Sequence, residues 1–132
     1  MEYRTNLTCR FSIYHYSASV SEIEEAIGRK ASKSVNRGDP RPRADSPPFD
    51  RSSAHFDIVE LGEHEPAQAI SDCLDVVEAS SSADLLNNGS VWIIVGLYDP
   101  RFVQINIEDS LLKRLGDAGV SLAIENRSPA TG

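Results

Sequence analysis

The 132-residue sequence predicts an α+β fold: a single domain in which about three helices pack on one face of a mostly antiparallel sheet. Three observations lead there. Segments that alternate apolar and polar residues are interleaved with segments whose apolar residues recur at helical spacing. Each helical segment carries one apolar stripe, so each has a single face to bury. Most strands alternate rather than run apolar throughout, as strands with one solvated face do. The predicted domain covers residues 1–126, followed by a polar, disordered tail over 127–132.

The elements follow in order. Cys9 to Tyr16 alternates Cys9, Phe11, Ile13 and His15 with Arg10, Ser12, Tyr14 and Tyr16, a strand with one buried face on which His15 is a packed, hydrogen-bonded histidine. Ser19 then starts a short helix with Glu22 as its capping-box acid, the stripe Val20, Ile23, Ala26 and Ile27, and Gly28 as its left-handed stop. From Arg29 to Ser53 the apolar signal fades; a short strand fits around Ser34 to Asn36, and 39–53 reads as a flexible basic, Pro-rich loop. Strand character resumes at His55 to Leu61. Pro66 opens a second helix with the stripe Ile70, Cys73, Leu74 and Val77, ended near Ser80. Residues Asp84 to Gly89 either continue it or form a last turn.

Val91 to Tyr98 is a nearly unbroken apolar run, short and β-branched, and is predicted as a strand buried on both faces. Asp99-Pro100 predicts a turn into a hairpin partner, Phe102 to Ile107, with Val103, Ile105 and Ile107 inward. Glu108 or Asp109 caps a third helix bearing Leu111, Leu112, Leu115 and Ala118, Gly119 ends it, and Val120 to Glu125 closes the fold as a strand. Trp92, Ile94, Phe11, Ile13, Leu74, Val77, Leu112 and Leu115 are the expected core.

The net charge of −7 is unevenly spread. Between Arg29 and Arg51 seven basic residues face three acids, a local balance of +4 that leaves −11 on the remainder. Asp57 to Asp84 holds eight acids and no Lys or Arg. No run approaches 18 apolar residues and the N-terminus lacks a signal-peptide pattern, so the expectation is a cytoplasmic protein without membrane contact. In that compartment Cys9 and Cys73 read as small buried hydrophobes.

The helix end Ala26-Ile27-Gly28, the loop Arg37-Gly38-Asp39-Pro40-Arg41, the opening strand, and the close Leu111-Leu112 with Leu115-Gly116-Asp117-Ala118-Gly119-Val120-Ser121-Leu122-Ala123-Ile124 together resemble the bacterial family catalogued as domain of unknown function 4279. The resemblance spans about residues 9 to 126, and the chain departs from it at His55-Phe56 and Glu125-Asn126. It implies a bacterial cytosolic protein and transfers no catalytic residue.

Chemistry is less legible than architecture. His55, Asp57, Glu60, Glu63, His64 and Glu65 match no metal-ligand spacing, no serine lies in a nucleophile elbow, and Gly38 and Gly96 are isolated. Neither catalysis, nor a cofactor, nor a metal is expected. The unopposed acids instead suggest an interaction protein, an immunity or inhibitor protein that meets a toxin or other basic partner through Glu60, Glu63, Glu65, Asp72 and Asp75. The alternative is a small anion- or ligand-binding module using Arg37, Arg41 and Arg43, or a concave site lined by Tyr14, Tyr16 and Trp92. Overall acidity argues against nucleic acid.

Overall fold

The computed structural model describes residues 4–43, 45–80, 88–98 and 104–127. The elements are β1 (Thr5–His15), α1 (Val20–Ile27), β2 (Lys33–Val35), β3 (Ser52–His64), α2 (Pro66–Ala79), β4 (Gly89–Leu97), α3 (Asp109–Asp117) and β5 (Val120–Asn126). The strands form one five-stranded sheet in the order β2-β3-β1-β4-β5. All neighbours are antiparallel except β4 and β5, which run parallel because α3 lies in the connection between them.

Local chemistry sets the helix ends. Ser19 Oγ accepts from the Glu22 amide at 3.2 Å and the Glu22 carboxylate accepts from the Ser19 amide at 3.3 Å, the reciprocal capping box. Gly28 stops α1 at φ 83°, where a side chain would strain the backbone. Glu65 caps α2, accepting from the amides of Ala67 and Gln68, with Pro66 in the first turn. Asn36 Oδ1, from the loop after β2, accepts from the Val20 amide at 2.9 Å and so ties that loop to the start of α1.

Strand alternation then assigns the faces. In β1, Leu7, Cys9, Phe11 and Ile13 are fully buried beside Val91, Ile93 and Val95 of β4, Ala54 and Phe56 of β3, and the stripes Ile23 of α1, Ile70, Cys73, Leu74 and Val77 of α2, and Leu111 and Leu115 of α3. Phe11 stacks on Phe56 with ring centroids 4.7 Å apart. His15 belongs to this face, its Nδ1 accepting from the amides of Ala18 at 2.8 Å and Ser17 at 3.1 Å, which shapes the turn into α1. The helices therefore occupy one face of the sheet.

Three expectations are corrected. Gln104 to Ile107 is not a strand, because β1 and β5 occupy both edges of β4 and leave no ladder for a hairpin partner; the rest of that hairpin, Asp99 to Val103, lies outside the described residues. Trp92 is 36% exposed and Leu112 51% exposed, so neither belongs to the core. In β4, Trp92 takes the face away from the helices, and Ile94 beside it, though buried, also stands outside the main cluster. In α3 the inward positions are Leu111 and Leu115, four residues apart, which turns Leu112 outward. Asp84 to Asn87 and the tail beyond Arg127 lie outside the described residues.

The basic loop is fastened at its base. The Gly38 amide donates to the Phe49 carbonyl at 2.8 Å, the Phe49 amide to the Asp39 carbonyl at 3.0 Å, and the Arg37 amide to buried Ser52 Oγ at 3.0 Å. Arg37 also donates from its guanidinium to the Tyr16 carbonyl at 3.0 Å. Between these ties Arg43 is exposed and is followed by a residue other than proline, unlike Arg41 before Pro42. Limited trypsin digestion is therefore expected to cut first after Arg43. First cleavage at Arg29 or Arg51 instead would show a loop docked along its whole length.

Candidate functional site

The face of the sheet away from the helices is assembled from every second residue of β1, β3 and β4. Register places them in rows: Asp57, Arg10 and Ile94; then His55, Ser12 and Trp92; then Ser53, Tyr14 and Ser90. Lys33 of β2 pairs with His55 and extends the middle row to the sheet edge. On the other side Ser121 and Ala123 of β5 pair with Trp92 and Ile94. No described helix packs here.

The side chains form a connected group. Ser12 Oγ and His55 Nδ1 share a 2.6 Å hydrogen bond, the Tyr14 ring meets the His55 ring edge-on at 5.9 Å, and the Arg51 guanidinium lies over Tyr14 at 4.5 Å. A second cation, Arg41, lies over Phe49 at 4.8 Å. Tyr14, Arg41, Phe49, Asp50, Arg51 and Ser53 line a shallow hollow where the sheet face meets the basic loop. At the far end Gly96 is bare because Arg127, held by Glu125, crosses it; a Cβ there would come within 2.9 Å of both Arg127 and Thr8.

Electrostatics distinguish this face from the rest. Burial first, then the charges of Arg10 and Lys33, push the His55 pKa below 6.5 against the opposing pull of Asp57. The folded state thus binds the His55 proton less readily than the unfolded chain does. Its contribution is fully present above pH 6.5 and is lost as pH falls from 6.5 towards the lowered value. His55→Gln should flatten the stability profile in that window, measured as urea midpoints at pH 7.5, 6.5 and 5.5; an unchanged slope would place the titration elsewhere.

Among the described residues, ion pairs join Lys30 to Glu24, Lys113 to Asp117, Arg114 to Asp75 and Glu78, and Arg127 to Glu125. Arg10, Lys33, Arg37, Arg41, Arg43 and Arg51 are in none of these pairs. Arg10 Nε is moreover buried with no hydrogen-bond partner. The sequence singled out Arg37, Arg41 and Arg43; it missed Arg10, Lys33, His55 and Arg51. Alternation in β1 did contain the signal, since Arg10, Ser12 and Tyr14 fall together on its polar side.

The five predicted partner-binding acids are dispersed. Glu65 is consumed as the α2 cap, Asp72 accepts from Gln68 at 2.8 Å, and Asp75 binds Arg114 at 2.8 Å. Glu60 and Glu63 are exposed on β3, where Glu63 pairs in register with Asn6. His64 turns back to the Glu60 carbonyl at 2.8 Å. No group of three His, Cys, Asp or Glu among the described residues is placed to hold a metal ion. No described helix is long and apolar enough to cross a membrane.

Comparison with protein-family models, with curated proteins and with solved structures finds no match for this chain.

Proposed function

We propose that this protein is a non-catalytic binding domain that takes an oxyanion-bearing ligand, phosphate or carboxylate, on the open sheet face. One observation carries the reading: among the described residues, Arg10 of β1, Lys33 of β2 and Arg37, Arg41, Arg43 and Arg51 in and beside the basic loop are in none of the ion pairs, whereas Lys113 and Arg114 of α3 and Arg127 after β5 each hold a carboxylate. A guanidinium whose Nε is enclosed without an acceptor is short of partners, and Arg10 as a whole is only half-buried, so an oxyanion on the sheet face would offset that cost through charge-assisted hydrogen bonds to the rest of the guanidinium. Tyr14 and Phe49 hold Arg51 and Arg41 in place through their ring faces, which leaves both guanidinium edges for a ligand.

The Ser12–His55 pair has the length of a nucleophile and its base, but Ser12 is fully buried, so no substrate carbonyl reaches its oxygen. Ser12 also sits mid-strand between two antiparallel neighbours, where the ladders use the backbone amides an oxyanion hole needs. The pair reads as a support for the His55 ring.

The test uses Trp92, the one tryptophan of the chain, which stands on the proposed face. Titration with inorganic phosphate, pyrophosphate and succinate, read by Trp92 fluorescence and by thermal melting, is expected to give a saturable signal that weakens with added salt. The stronger responder identifies the anion class. Absence of saturation with all three probes to millimolar concentration would overturn the reading.

A second reading, the immunity or inhibitor protein for a basic partner, is favoured by the exposure of Glu60 and Glu63. Loss of partner capture on reversing Glu60 and Glu63 to Lys, with capture kept by Arg10→Met, would support it over the anion site.

A further inference from the structure

The helix side of the sheet brings together the two cysteines of the chain. Cys9 in the middle of β1 and Cys73 on the inner stripe of α2 are 64 residues apart in sequence, both fully buried, with their sulfur atoms 3.1 Å apart. Packing enforces the approach: Cys73 lies among Ile70, Leu74 and Val77, and Cys9 between Leu7 and Phe11, all in one core. A disulfide needs its sulfurs at about 2 Å, so a small closing shift suffices.

We propose that Cys9 and Cys73 form an intramolecular disulfide when the chain folds in contact with a small-molecule disulfide such as oxidised glutathione, fastening α2 to β1. In the first step one cysteine thiolate attacks glutathione disulfide and releases a glutathione thiolate. The second cysteine thiolate then attacks the mixed disulfide at the protein sulfur and releases the other glutathione. The two cysteine protons end on two glutathione thiols, and two electrons pass from the cysteines to glutathione. In the folded interior the first step is slow, because the hydrogen bond to Cys9 and then burial hold the Cys73 thiol in its protonated form. The bond is therefore set during folding. The crosslink lies on the opposite side of the sheet from the anion face, and its test does not depend on that function.

Refolding the chain from urea in glutathione buffers of graded ratio, with acid quench and mass measurement, reads the bonded fraction. The expected product is a monomer lacking two hydrogen atoms. The effective concentration of the two thiols should be on the order of a hundredfold higher after refolding than in urea, because a crosslink that stabilises the fold is favoured by the fold to the same degree. Equal or lower effective concentration after refolding overturns the proposal, as does a product dominated by a glutathione adduct on one cysteine or by a crosslinked dimer. Cys73→Ser, treated alike in urea, supplies the mass of the single-adduct product for comparison.

Discussion

Replacing Phe11 with alanine should cost about 3 to 5 kcal/mol of folding stability, the range for deleting a buried aromatic ring. Phe11 is fully buried at the middle of the central strand, stacked on Phe56 and flanked in the sheet by Ile93. Its loss empties a space bounded by β3 and β4 on either side and by the helix stripes above. Rigid ladders on both sides limit how far the site collapses, which places the cost towards the upper end. Against a typical total of about 5 to 15 kcal/mol, such a loss leaves the variant close to its unfolding midpoint at ordinary temperature. Trp92→Ala, on the open face, should cost only about 1 kcal/mol, as is usual for substitutions outside the core. Urea unfolding followed by circular dichroism measures both. A Phe11→Ala loss below about 1 kcal/mol, outside the range for buried aromatic deletions, would mean that β1 is not the centre of the core.

The contrast between Phe11 and Trp92 also shows what this sequence discloses. Phe11 stands in a clean alternation, and period-two patterning names its face without ambiguity. Trp92 stands in the run Val91 to Leu97, where both faces are apolar, and periodicity has nothing to distinguish. The helices were legible because their signals are local: Ser19 with Glu22, Gly28 at positive φ, Pro66 in a first turn. The hairpin after β4 failed for the opposite reason. Its alternation is real, but strand pairing is decided by which edges are already taken, and β5, arriving later in the chain, takes the edge of β4. Site residues follow the same division. Arg37, Arg41 and Arg43 were visible as a charge cluster, whereas Arg10 and Lys33 join His55 only through the register of three strands. Among the acids, Glu65 is engaged by the local cap of α2 and Asp75 by Arg114, 39 residues away; only the second use is tertiary, and in sequence Asp75 looks no different from Glu63.

Arg10→Met is expected to weaken binding of the oxyanion probe by roughly 10- to 100-fold, the value of a charge-assisted hydrogen bond of about 1.5 to 3 kcal/mol converted to affinity. Methionine keeps the apolar stem in place and removes both the charge and the unpartnered nitrogen, so the fold should hold or gain slightly. Arg51→Gln, at an exposed position over Tyr14, should weaken binding only a few-fold, and Lys113→Gln, paired with Asp117 on α3, should leave it unchanged. The same substitution has a readout that needs no ligand. Since the Arg10 charge is one of the causes that depress the His55 pKa, Arg10→Met should raise that pKa towards 6.5, visible in the pH dependence of the His55 ring signals by NMR. A bound anion acts in the same direction by neutralising Arg10 and Lys33. Binding should then take up a proton on His55, and affinity should increase as pH falls through the complex's raised value and level off below the free protein's lowered one, an increase that His55→Gln removes. If Arg10→Met shifts the His55 titration yet leaves probe affinity intact, the sheet register is right and the anion binds elsewhere; if neither changes, Arg10 does not lie beside His55 on the open sheet face, and that face loses its claim to be the site.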